Sequence, residues 1–211
     1  MSVSSVEKFV KNVLGKDSSG HDWYHIDRVR NNAMAIRQLE MQGSAVIIEY
    51  ASLLHDVADK KLVSKIEGEK LLSQGLALTD LPIEDQNHIR AIVLNVSFNG
   101  GHETEMTSIE GKIVRDADRL DALGAIGIAR TFAYGGKKGR PLYDPAEEVR
   151  ENMTEEQYRT ENTSSVHHFY EKLFKLRELM TTETGKKMAE ERHVFMEQFI
   201  HRFHEEWKGT K

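Results

Sequence analysis

The chain contains no cysteine. That absence excludes a disulfide framework, a thiolate nucleophile and a cysteine-ligated zinc site. It fits a reducing compartment, so a cytoplasmic protein is expected. Only three prolines occur, Pro82, Pro141 and Pro145, which leaves long stretches free of helix breakers. No apolar run approaches the roughly 20 residues that a membrane-spanning helix needs. The N-terminal stretch sets Glu7, Lys8 and Lys11 among apolar positions at helical spacing, a pattern foreign to a signal peptide. Basic side chains are in deficit: 29 Lys and Arg against 34 Asp and Glu give a formal charge of −5. Neither a nucleic-acid polymer nor a membrane is therefore the expected partner. Sustained alternation of apolar and polar residues is missing as well, which argues against strands.

What is present is helical periodicity. With 211 residues, 39% of them hydrophobic, the chain can bury one sizeable core, and it reads as a single domain over 1–211. Val3, Val6, Phe9, Val10, Val13 and Leu14 form one stripe, ended by Gly15. From about His25 to Gln42 the spacing predicts Ile26, Val29, Ala33, Ile36 and Leu39 inward, with Gly43 as terminator. Ser44 reads as the N-cap of a third helix, which carries Ile47, Ile48, Ala51 and Leu54 and runs on through His55 and Asp56. Pro82 opens a further helix from its first turn, leading through Ile89, Ile92 and Val93. Residues 109–130 are periodic but weakened by Gly111, Gly124 and Gly127, so a break or close helix contacts are expected there. Residues 161–207 read as two helices separated near 181–185. The expected fold is an all-α bundle of non-parallel helices. Its polar core spans about 20–125 and its C-terminal helices about 155–208. Between them, residues 135–145 hold three glycines, two prolines and three basic residues, and read as a long functional loop.

Polar residues interrupt the apolar register in three places. Leu53-Leu54-His55-Asp56-Val57-Ala58-Asp59 sets an imidazole and a carboxylate among aliphatic side chains. That is costly unless something compensates them, and a metal ion does so efficiently. Asp22-Trp23-Tyr24-His25-Ile26-Asp27-Arg28 supplies a second imidazole, and Asp116-Ala117-Asp118-Arg119-Leu120-Asp121 supplies carboxylates. On one helix His55 and Asp56 project about 100° apart, so both can reach an ion set against that face. Two imidazoles and two carboxylates suit Mn²⁺, Fe²⁺, Co²⁺ or Zn²⁺ better than Mg²⁺. One divalent ion is expected, Mn²⁺ ahead of those four and Ni²⁺. A competing pattern is His21-Asp22-Trp23-Tyr24-His25, which superficially mimics a zincin His-Glu-x-x-His pair. It leaves His55, Asp56 and the later acids unexplained. His21 therefore reads as a cap or a nearby hydrogen-bonding group, Asp116 and Asp121 as structural, and His167, His168 and His193 as surface or outer-sphere residues.

The order His, His-Asp, Asp comes with four further segments. They are Gly20-His21-Asp22-Trp23-Tyr24-His25, His55-Asp56-Val57-Ala58-Asp59-Lys60-Lys61, Asp116-Ala117-Asp118-Arg119-Leu120-Asp121-Ala122-Leu123-Gly124 and Tyr134-Gly135-Gly136-Lys137-Lys138-Gly139-Arg140-Pro141. Together they resemble the HD-domain phosphohydrolase superfamily and, within it, the bacterial YedJ/YpgQ-like branch, over nearly the whole chain. The resemblance implies an HD-domain helical bundle with additional C-terminal helices and a metal-dependent phosphohydrolase activity. It makes His25, His55, Asp56 and Asp118 the metal ligands, the Ala-Asp-Arg-Leu context selecting Asp118. Related enzymes carry a general acid/base three residues after the His-Asp aspartate, and Asp59 matches that position. Where two-metal relatives place extra histidines, this chain has Ile92-Val93-Leu94-Asn95-Val96-Ser97, which implies a mononuclear site.

The implied substrate is a small phosphorylated metabolite, a nucleotide. The branch points to pyrophosphohydrolysis of a nucleoside or deoxynucleoside triphosphate. Hydrolysis of a guanosine tetra- or pentaphosphate alarmone is an alternative, weakened because Asp59 is followed by Lys60 where such hydrolases carry an acidic pair. A non-catalytic nucleotide-binding sensor is another. Arg28, Lys60 and Lys61 near the polar core, and Lys138 and Arg140 in the glycine-rich segment, are the candidate phosphate contacts. The glycines there are expected to offer free backbone amides as an anion cradle.

Overall fold

The computed structural model describes residues 3–15, 22–59, 63–97, 104–150, 154 and 163–211. His21, Lys60 and Lys61 lie outside the described residues. Helices follow one another as α1 (Val3–Leu14), α2 (Trp23–Glu40), α3 (Ala45–Leu54), α4 (Lys65–Ala77), α5 (Ile83–Asn95), α6 (Ile109–Asp121), α7 (Gly124–Lys137) and α8 (His167–Glu171), then a 3₁₀ segment (Leu173–Leu179) and α9 (Glu183–Trp207). Among the described residues there is no strand, and no helix is long and apolar enough to cross a membrane.

Most starts are chemically specified. Asp22, Ser44, Ser64, Ser108 and Thr182 each accept a hydrogen bond from a first-turn amide of the helix they precede. Met41, in the left-handed region at φ 54°, closes α2 by donating its amide to the Arg37 carbonyl. Helix α2 is the hub, packing most extensively on α6 and α3, with α5 against the far side of α3. The stripes meet there: Ile26, Val29, Ala33 and Ile36 of α2 are fully buried with Ile48, Ala51 and Leu54 of α3 and Ile113, Ala117 and Leu120 of α6.

The structure departs from the periodicity in several places, each with a physical cause. Leu39 is 67% exposed rather than inward. The 3-4 spacing of 26, 29, 33 and 36 continues at 40, not 39, and Glu40 takes that place, accepting from the Thr184 amide at 2.6 Å. Helix α3 ends at Leu54, and His55 caps it. The Leu54 and Asp56 carbonyls then accept from Val57 and Asp59 at 3.2 and 3.1 Å, so the His-Asp pair rides a tightened final turn. Pro82 is the N-cap of α5, one residue before its first turn. Residues 135–137 are not loop but the last turn of α7. In 161–207 the first expected helix is a short α8 followed by the 3₁₀ segment, although the break before α9 falls at Met180–Thr182. His167 and His193 are buried rather than on the surface, His167 engaged by Glu147 at 2.8 Å and His193 facing Glu197 at 3.3 Å. The break expected in 109–130 occurs at Ala122–Leu123, and Gly124 takes φ +69°, a conformation costly for any residue with a Cβ.

The C-terminal helix is fixed to this hub by one buried carboxylate. Asp116, with no solvent exposure, accepts from the Thr181 and Thr182 amides at 3.0 and 2.7 Å and from both threonine hydroxyls at 3.2 and 2.8 Å. A Cβ on Gly185 would lie 2.6 Å from an Asp116 oxygen, so the first turn of α9 must be bare there. Asp116→Ala would orphan the buried Thr182 amide and strip the partly buried Thr181 amide of its acceptor. We expect a loss of about 2–4 kcal/mol and a melting temperature lower by roughly 4–16 °C for a chain of this size, read by calorimetry. An unchanged melting temperature would contradict this account of how α9 is held.

Candidate metal centre

Four polar side chains converge where α2, the end of α3 and α6 meet. His25, His55 and Asp56 are buried, and Asp118 is 29% exposed, marking the side that faces solvent. His25 Nε2 lies 3.2 Å from His55 Nε2, 3.3 Å from an Asp56 oxygen and 3.5 Å from Asp118 Oδ1. His55 Nε2 lies 3.4 Å from the other Asp56 oxygen and 3.7 Å from Asp118 Oδ1. His25, His55 and Asp118 each offer an atom within 4.8 Å of the other two.

The opposite edge of each imidazole settles what those Nε2 atoms can do. His55 Nδ1 donates to the Ser52 carbonyl at 2.8 Å, an acceptor that cannot itself donate. His25 Nδ1 donates to Asp121 Oδ2 at 2.6 Å. Asp121 stays ionised: burial alone would raise its pKa, but His25, Arg28 and Arg130 outweigh burial and hold it well below the ordinary carboxylate range. With both Nδ1 protons committed, both neutral rings turn lone pairs toward each other. Two lone pairs at 3.2 Å cannot hydrogen-bond; they need a cation between them. The donor set fits a first-row divalent ion, whose bonds of about 2.0–2.2 Å bring neighbouring donors to roughly 3.0–3.5 Å apart.

A proton can substitute. Burial would lower the pKa of His25, but its hydrogen bonds to Asp121 and Asp56 override burial and lift it from 6.5 to about 9. The cage thus holds a positive charge either way, as a proton or as a metal ion.

Asp121 is the residue that sequence reasoning files as structural and that the structure makes central. It is 1% exposed and carries two arginines besides His25: Arg28 through Nε at 2.7 Å and a terminal nitrogen at 3.0 Å, and Arg130 at 2.6 Å. Its one-turn offset from Asp118 puts both on one face of α6, which is the signal that could have found it. Arg28, expected among the phosphate contacts, is thereby engaged on a carboxylate. In the glycine-rich segment the Lys138, Gly139 and Arg140 amides donate to the Gly135 and Gly136 carbonyls at 2.8–3.1 Å. The free-amide cradle expected there does not form at those positions. The Lys138 and Arg140 cations lie over the Tyr134 ring, 5.7 and 5.4 Å from its centroid. Asp59 is half-buried at the end of the His-Asp turn.

The chain is 37% identical over 208 residues to the uncharacterized protein YpgQ of Bacillus subtilis (strain 168), covering 97% of this chain and 93% of that protein. An HD-superfamily hydrolase from Bacillus thuringiensis matches at 46% identity and TM-score 0.76, over 98% of this chain and 96% of its own. The chain belongs to the HD-domain phosphohydrolase superfamily. Within it, this HD hydrolase falls in the YpgQ-like branch. A Lactobacillus plantarum protein superposes with TM-score 0.88 at 37% identity, spanning 98% of this chain and 97% of its own. YpgQ has been crystallised in complex with ADP, in a structure 35% identical with TM-score 0.76 over 97% of each chain. No protein-family model matches the chain. The HD fold brings together all four residues that the sequence assigns to the metal.

Two outcomes follow from the cage. Asp121→Asn removes the anion that orients His25 while leaving the four inward groups in place, so divalent-cation affinity should fall about 10–100-fold in equilibrium dialysis. Unchanged retention would deny Asp121 that role. The second is pH linkage. His25, raised to about 9, is protonated below that pH in the metal-free fold, so cation uptake must expel a proton. Apparent affinity should rise by up to about tenfold per pH unit from 6.5 toward 9 and flatten above, checked by calorimetry in buffers of different ionisation enthalpy.

Proposed function

We propose that the protein is a divalent-cation-dependent pyrophosphohydrolase of nucleoside or deoxynucleoside triphosphates. The observation that carries the cation dependence is the pair of imidazole Nε2 atoms 3.2 Å apart, each anchored through its other nitrogen. The ADP complex of YpgQ supports a nucleotide as the substrate class. The cysteine-free sequence suits a reducing cytoplasm, where such substrates are found.

His25, His55, Asp56 and Asp118 are the ligands in this reading, with Mn²⁺ favoured by the mixed nitrogen and oxygen donors. A bound divalent ion supplies Lewis-acid polarisation of a phosphoryl oxygen and eases the ionisation of a water molecule. The chain's own groups do the rest. Asp59, three residues past Asp56 on the same turn, takes the proton from the attacking water or returns it to the leaving group. Asp121 holds His25 in one tautomer. Cations hold the phosphates that do not react: Lys60 and Lys61 beyond Asp59, and Lys138 and Arg140 after α7.

Asp59→Asn should lower kcat by about 10²–10⁴-fold at unchanged metal content, whereas Asp56→Ala should lose metal and turnover together. Both are read by manganese-supplemented assays of deoxynucleoside triphosphates and guanosine tetraphosphate, with mass identification of products and elemental analysis of the protein. Pyrophosphate released from the triphosphates supports the reading. Turnover of the alarmone alone, or full activity in Asp56→Ala, would overturn it.

A further inference from the structure

A second cleft opens between α2, the α6–α7 junction and α9, with a volume of about 320 Å³. That is large enough for a small ligand. None of His25, His55, Asp56 and Asp118 lines it; its polar wall is Arg28, Asn31, Asn32, Asp121 and Arg192. Cations and amides therefore outnumber acids, and the one carboxylate already holds His25, Arg28 and Arg130.

Arg192 is the telling residue. It is partly buried, yet it donates to the Leu120 carbonyl at 2.5 Å and to Asn32 Oδ1 at 3.1 Å, both uncharged. No carboxylate among the described residues hydrogen-bonds it. The partial negative end of α6 and the partial positive end of α7 meet at the same junction and offset each other. A half-buried guanidinium whose hydrogen-bond partners are all neutral is costly; burial pushes its pKa down, and the charge of Asp121 in the same cleft wall offsets this only in part. It is nevertheless held in place: a Cβ on Gly124 would lie 3.1 Å from the Arg192 stem, so the bare glycine at φ +69° lets the side chain pack flat against the wall. Arg28 adds a second fork. Its Nε and one terminal nitrogen are spent on Asp121, and among the described residues no hydrogen bond engages the other terminal nitrogen. Two planar guanidinium forks and two amides around a small cleft supply donors enough for the several oxygens of a tetrahedral phosphate group, each fork able to pair with two of them.

We propose that this cleft is a binding site for a phosphate-bearing anion, separate from the divalent-cation cage, with Arg192 and Arg28 as its charged contacts. The anion is either free inorganic phosphate or pyrophosphate, or the phosphate tail of a nucleotide. The site stands without the hydrolytic reading above, because it needs no metal.

The test uses the full chain freed of metal by chelation, titrated with sodium pyrophosphate by calorimetry and followed by ³¹P NMR. The wild-type protein should bind one pyrophosphate, Arg192→Gln should weaken it at least about tenfold, and Asp56→Ala should bind it as the wild type does. Asn31→Asp serves as a second variant, since it sets a negative charge in the cleft at an exposed position and keeps every Arg192 hydrogen bond; it too should weaken binding. Competition between pyrophosphate and a deoxynucleoside triphosphate would assign the cleft to the nucleotide tail, and independent binding to the free anion. Wild-type affinity in both Arg192→Gln and Asn31→Asp, or loss of pyrophosphate binding in Asp56→Ala, would overturn the proposal.

Discussion

Two imidazole nitrogens that both present lone pairs, 3.2 Å apart in an apolar interior, are the constraint on which the rest of this structure rests. Left alone they repel, and the surrounding aliphatic side chains offer nothing to relieve them. The fold answers on two levels. Positive charge belongs between them, as a proton or a metal ion, and the carboxylates of Asp56 and Asp118 lie within 3.3–3.7 Å to balance it. The outer edges are fixed by acceptors, the Ser52 carbonyl and the Asp121 carboxylate, so neither ring can turn its lone pair away.

Fixing His25 with a buried carboxylate creates a second problem, because Asp121 is itself almost wholly out of water. Its charge is met by Arg28 and Arg130, which approach from α2 and α7. Arg130 also reaches the Asp121 carbonyl at 3.2 Å, and Arg192 adds a side-chain donor to the Leu120 carbonyl, which already accepts the Leu123 amide at 3.1 Å, so arginines serve the carbonyls at the end of α6 as well as the buried carboxylate. A buried pair held by several hydrogen bonds is costly to break at one member only. The outer charges therefore lock the geometry of the inner ones.

Much of this was legible in the sequence, and the reasons are local. His55 and Asp56 stand out because they break an apolar run, and His25 and Asp118 because their neighbours Ile26, Val29, Ala117 and Leu120 carry helical spacing into the core. Ser44 as a cap and Gly124 at a break were readable because capping and positive φ each demand a particular side chain, or none. What escaped depends on contacts between segments distant in sequence. Asp121 meets His25 across 96 positions and Asp116 meets Thr182 across 66, and nothing in a single helix says which of three nearby acids does which. Helix α4 escaped because its mixed sequence has little amphipathic pattern: Gly68 and Gly75 face the interior beside Leu72 and Leu76. Residues 135–137 misled because glycine is a weak helix former, yet Gly135 packs so closely on Ser165 that a Cβ would lie 2.1 Å from its hydroxyl.

The three acids on α6 finally explain why the C-terminal helix belongs to the same machine. At about 100° per residue, Asp118 and Asp121 share a face one turn apart, while Asp116 points away from Asp118 toward α9. One rigid rod therefore carries three tasks at fixed separation: Asp116 holds the start of α9, Asp118 faces the cage, and Asp121 orients His25. Arg192, two turns into the helix that Asp116 docks, returns to the far end of α6. Helix α9 is thus pinned to the middle of α6 through Asp116 and to its C-terminal turn through Leu120, and any slide of α9 would have to drag on the carbonyl beside Asp121. Preorganisation of the inner donors is a property of that α2, α6 and α9 triangle rather than of the four side chains alone.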